Sequence, residues 1–124
     1  MKSNPQVYEI NTISWLYELS VKYGRPTTLA EVSTDEWERF QRSGFDYIWM
    51  MGIWKRSNAG IRIFQNEPEY DIFKSLFDSV LPDWTEEDLT GSPYSIASYE
   101  PDPLVGTWED VADVRNELRS RGMR

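Results

Sequence analysis

"GFDYIWMMGIWKRS", residues 44–57, decides how this chain is read. From Phe45 to Trp54, eight of ten residues are apolar or aromatic, with no regular alternation with polar ones. Such a run predicts a strand buried on both faces, as parallel strands covered by helices are. Immediately before it, "STDEWERFQRSG" (33–44) is dense in helix signals. Ser33 and Glu36 fit a capping box, Asp35 and Glu36 suit the positive end of the helix dipole, and Gly44 offers a stop. Earlier still, "QVYEI" (6–10) is a β-like run after Pro5. "WLYELSVKYG" (15–24) then places Trp15, Leu16, Leu19 and Tyr23 on one side of a helix ended by Gly24.

Moving forward, "KRSNAG" (55–60) reads as a loop. "PEYDIFKSLFDSVLP" (68–82) spaces Tyr70, Phe73, Phe77 and Val80 at helical intervals between Pro68 and Pro82. A short helix at "TEEDL", capped by Thr85, and a long loop, "GSPYSIASYEPDPLVGT" (91–107), follow. In "TWEDVADVRNELRSRG" (107–122), Trp108, Val111, Val114 and Leu118 form one stripe and Gly122 ends it. The chain also echoes itself weakly, "ERFQRSGFDYIWM" against "NELRSRGMR", and by that logic a buried strand begins at about Met123. No low-complexity linker divides it.

Composition narrows the function classes. At 124 residues the chain bounds one domain, well short of the roughly 250 residues of a complete barrel. With 40% hydrophobic residues and six Trp it has ample material for a core. A net charge of −8 repels phosphate backbones and anionic lipid, which argues against nucleic acid and membrane partners. The absence of Cys and His removes thiolate and imidazole metal sites and Ser-His catalysis, and no cofactor is implied. No apolar run approaches the roughly 20 residues that span a bilayer, and the first residues lack a secretory leader pattern, so the expected setting is cytoplasmic.

Four stretches, in order, resemble glycoside hydrolase family 13, the α-amylase family: "VYEINTISWLYELSVKYGRPTTLAEV", "GFDYIWMMGIWKRS", "GSPYSIASYEPDPLVGT" and "WEDVADVRNELRSRGMR". The resemblance implies an α/β fold made of the first two β/α units of a (β/α)8 TIM barrel. That barrel would be incomplete, with a helical excursion after the second strand, and residues 1–124 would end just before the third. It implies a retaining hydrolase or transglycosidase acting on α-glucans or α-glucosides. Tyr94 of "PYSIASY" aligns with a family tyrosine that stacks on the sugar where the glycosidic bond is cut, an aromatic face against a face of C–H bonds. Ser95 and Ser98 stand where many members carry acids.

The family's two catalytic carboxylates belong to its fourth and fifth strands, so no catalytic residue is assigned and the chain by itself is expected to be inactive. The alternative is a non-catalytic sugar-binding or interaction module. Open sheet edges would favour self-association. The remaining polar candidates have structural readings. Trp54 is a packing residue, Arg56 a surface or loop ion pair, and Asp102 of "PDP" a turn residue. Asp35, Glu36, Glu38, Glu86, Glu87 and Asp88 are solvated dipole partners, and Arg115, Arg119, Arg121 and Arg124 suit a helix C-terminus.

Overall fold

Val7–Asn11 (β1) and Tyr47–Met51 (β2) pair in parallel, with Val7 opposite Tyr47 and Asn11 opposite Met51. The structure is a computed structural model and describes residues 3–124. Between the two strands lie α1 (Thr12–Tyr23), a 3₁₀ turn at Leu29–Glu31, and α2 (Thr34–Arg42). A short strand, β3 (Trp54–Arg56), leads into α3 (Asn58–Gln65) and α4 (Tyr70–Val80). A 3₁₀ turn at Glu86–Asp88, β4 (Ile96–Pro101) and α5 (Trp108–Ser120) complete the described chain. β3 pairs with β4 in a second two-stranded sheet that shares no strand with the first.

The chain divides into two compact units, residues 1–54 with 100–124, and residues 55–99. In the first, α1 buries Trp15, Leu16 and Leu19 on one face, and α2 contributes Trp37 and Phe40. Trp15 meets Trp37 edge-on at 5.4 Å between ring centroids, and Phe40 lies 6.0 Å from Trp15 and 6.2 Å from Trp37. Edge-on and tilted rings are the arrangement the aromatic quadrupole favours. Val114 and Leu118 of α5, with Val105 and Met123, close the same core. A backbone bond from the Leu29 N–H to the Val105 carbonyl, 2.9 Å, joins its early and late parts. The second unit is built on a row of aromatics: Phe64 against Tyr70 at 5.3 Å and Phe73 at 5.2 Å, then Phe77 against Trp84 at 5.2 Å.

The fold corrects several expectations. The barrel units implied by the family resemblance are not formed: among the described residues, five helices and two separate small sheets, one parallel and one antiparallel, make a mixed α/β chain with no barrel-type β/α repeat. The departure begins at Gly52, whose φ of 78° turns the backbone out of β2. The chain then enters β3, whose partner is β4, where a repeat would lead through a helix to another parallel strand. The apolar run 45–54 is therefore two strands. It is not buried on both faces, since Trp49 is 53% exposed. Residues 58–60 of the expected loop open α3, whose N-cap Ser57 accepts from the Ala59 N–H at 3.3 Å. The expected loop after Gly91 contains β4.

At α2, Ser33 caps as expected by accepting from the Asp35 N–H. Glu36 does not complete a capping box. It is buried, 5% exposed, and meets Lys22 Nζ at 2.6 Å and Arg39 Nη2 at 3.0 Å. A carboxylate taken out of water in this way gains more from two cations than from one backbone N–H. The Glu36 carboxylate in turn holds the Lys22 ammonium above its usual pKa, first through their hydrogen bond and then through their charges.

Candidate functional site

Tyr94 sits in a turn whose backbone is fixed from several sides within the second unit. Arg56 of β3 sends Nη1 to the Thr90 hydroxyl at 2.9 Å and to the Gly91 carbonyl at 2.8 Å. Gly91 has φ of +74°, and a Cβ there would meet Ile61 Cγ1 of α3 at 3.2 Å, so glycine serves both the turn and the close approach. The Ser95 N–H donates to the Ser92 carbonyl at 3.0 Å, closing a β-turn with Pro93 at its second position, where a fixed φ is favoured. Ser92 Oγ also accepts from the Tyr94 N–H at 3.3 Å. Beyond the turn, the Ser57 N–H donates to the Ser95 carbonyl at 2.7 Å.

The outcome is an aromatic side chain, 72% exposed, on backbone that has little freedom left to lose. A tyrosine so presented offers a flat apolar face and a phenolic hydroxyl together, and its prior fixation lowers the entropy cost of binding. Ser95 and Ser98 take structural places. Ser95 Oγ packs 3.4 Å from where a Cβ on Gly60 would lie, and Ser98 Oγ is buried without a hydrogen-bond partner among the described residues. Tyr99 of β4 is exposed as fully as Tyr94. Its signal was present in the spacing "YSIASY", but an exposed residue on a strand requires that strand to be recognised first.

The other candidates take structural roles. Trp54 tilts against Trp108 at 5.5 Å within the first unit. Asp102 is a turn residue: its Oδ1 accepts from the Leu104 N–H and its carbonyl from the Val105 and Gly106 N–H groups. Asp88 caps the second 3₁₀ turn through the Thr85 N–H, and Glu38 lies within 4 Å of both Arg42 and Arg121. Glu31 accepts from the Thr28 hydroxyl and N–H, both at 2.7 Å, and these bonds hold its carboxyl below the usual range. Among the described residues no group of three His, Cys, Asp or Glu is placed to hold a metal ion.

A groove of about 280 Å³ in the first unit is lined by Leu29, Trp37 and Val114 with Asp110, Asp113 and Glu117. Asp110 closes the capping box of α5 with Thr107, and Glu117 holds Arg121 at 2.7 Å, so two of its three acids already serve the helix. Among the described residues no helix is long and apolar enough to cross a membrane. Comparison with known protein families, with curated proteins and with solved structures finds no match to this chain.

Proposed function

We propose that the chain binds an α-glucan or α-glucoside through Tyr94, in the manner its resemblance to the α-amylase family suggests, and does not cleave it. The observation that carries this reading is the presentation of Tyr94, an exposed ring on a turn pinned by Arg56, Ser57, Ser92 and Gly91. Sugar recognition uses such a ring for the C–H face of a pyranose and leaves its hydroxyls to polar groups and water. In keeping with binding without turnover, Glu36, Glu31, Asp88 and Asp110 serve ion pairs and caps. We place this activity in the cytoplasm, a setting in keeping with a chain that has no cysteine to oxidise.

Isothermal titration with maltohexaose tests the proposal. The chain is expected to bind weakly, and Tyr94→Ala to lower affinity about tenfold, the worth of one aromatic contact. Tyr94→Phe is expected to keep most of it, and no reducing sugar should be released over days. Equal binding by Tyr94→Ala, or release of maltose, would overturn the reading.

A further inference from the structure

In the second unit, α4 carries apolar residues on two adjoining sides. Its inner side holds Tyr70, which is buried, with Phe73 and Phe77, which meet Phe64 and Trp84 at 5.2 Å each. Beside it runs a second line, Ile72, Leu76 and Val80, spaced four residues apart and therefore stacked along one edge of the helix. These three are 62%, 54% and 76% exposed. At about 100° of turn per residue, the neighbours of that line are the short Ser75 and Ser79, while Asp71, Lys74 and Asp78 fall on the far side. A helix with one apolar stripe needs one neighbour, whereas one apolar this far round is ordinarily covered by a second. Exposed apolar patches of this kind mark sites of association.

Charge selects what covers the line. Glu69 is exposed and stands at its N-terminal end, three residues before Ile72. Towards the other end, the chain from Asp78 to Asp88 carries five acids and no Lys or Arg. Lys74 is taken by Asp71 at 3.4 Å, and among the described residues no cation holds Glu69, Asp83, Glu86 or Glu87. The apolar line is thus bracketed by carboxylates that nothing neutralises. A second copy is the poorer occupant: parallel pairing sets Glu69 against Glu69, antiparallel pairing sets it against the acids after Val80, and each juxtaposes like charges. An anionic lipid surface is repelled by the same groups. We propose that the Ile72, Leu76 and Val80 face of α4 docks an amphipathic helix of a partner protein, apolar along one stripe and bearing Lys or Arg at both ends. Helices recognised in this way anchor through residues at i, i+3, i+4 and i+7. The short Ser75 and Ser79 let the two helices pack closely, and a partner helix of about 14 residues reaches from Glu69 to the acids beyond Val80.

Isothermal titration of the full chain with the peptide acetyl-Lys-Lys-Ala-Leu-Gln-Ala-Leu-Leu-Gln-Ala-Leu-Gln-Ala-Lys-Lys-amide tests this. The peptide places its Leu residues on one helical stripe between paired Lys. It is expected to bind in the micromolar range, and Leu76→Asp to weaken binding by about tenfold or more at an unchanged melting temperature, since Leu76 is half exposed. The same peptide with every Lys replaced by Glu should not bind, nor should one of the same composition with its Leu residues scattered. Any of four results would overturn the proposal: no heat at millimolar peptide, equal binding by either control peptide, binding by Leu76→Asp equal to that of the unaltered chain, or light scattering that shows a dimer which Leu76→Asp dissociates. Val80→Ser, at the most exposed of the three positions, replaces Leu76→Asp if that variant does not fold, and the two control peptides need no variant.

Discussion

Phe40→Ala tests the account of the first unit's core most directly. Phe40 is 2% exposed and its ring is shared by Tyr8 at 5.2 Å, Trp15 at 6.0 Å and Trp37 at 6.2 Å, with the Arg39 guanidinium 5.0 Å over one face. Truncation removes the apolar transfer gain and leaves a cavity lined by rigid indoles, which have few rotamers with which to collapse into it. Phe→Ala changes at such sites cost about 3–5 kcal/mol. A unit of this size holds on the order of 4–12 kcal/mol in total, so the variant should sit at or near its folding threshold. At about 4–8 °C per kcal/mol, the melting temperature should fall by at least about 12 °C. Urea unfolding followed by tryptophan fluorescence measures the loss, because Trp15 and Trp37 report the site itself. A loss below about 1 kcal/mol with an unchanged m-value would refute the idea that these rings form one tightly packed core.

Two further outcomes follow from local geometry. Gly106 has φ of +134°, and a Cβ there would come within 2.7 Å of Asp110 Oδ2, the oxygen that accepts from the Thr107 N–H and hydroxyl. Gly106→Ala should therefore cost about 1–3 kcal/mol in thermal unfolding, more than Thr107→Ala at about 1 kcal/mol. The Glu31 carboxyl is held below its ordinary value of 4.5 by Thr28. Its contribution to stability is present above that pH and is lost as pH falls through the lower folded value, so Glu31→Gln should flatten the acid limb of a stability-against-pH curve and leave the limb above neutrality unchanged.

Much of the first unit was legible in the sequence because its signals are local. The stripe Trp15, Leu16, Leu19 and the stop at Gly24, whose φ is 67°, need only the helical period and a left-handed cap. What escaped depends on partners distant in sequence. β3 is three residues long and is defined by its pairing with β4 some forty residues later, which no periodicity announces. Glu36 reads as a solvated first-turn acid until Lys22 is brought beside it from α1. The apolar run 45–54 looked uniformly buried because hydrophobicity does not report which face a neighbour covers; Ile48 is buried and Trp49, one residue on, is not. Tyr94 was singled out by resemblance, whereas its support by Arg56 and Gly91 emerges only from the folded backbone.

The bond between Leu29 and Val105 also carries a consequence for synthesis of the chain. The first unit is discontinuous, and Val105, Val114, Leu118 and Met123 are all made after the whole of residues 55–99. At roughly 5–20 residues per second, Leu29 waits on the order of 4–15 s for its backbone partner. Throughout that interval Trp15, Leu16, Trp37 and Phe40 have emerged without the helix that covers them, while residues 55–99 are contiguous and can gather as they appear. The unit begun first on the ribosome is therefore the one finished last, and its unfinished aromatic face is what a nascent-chain chaperone would meet.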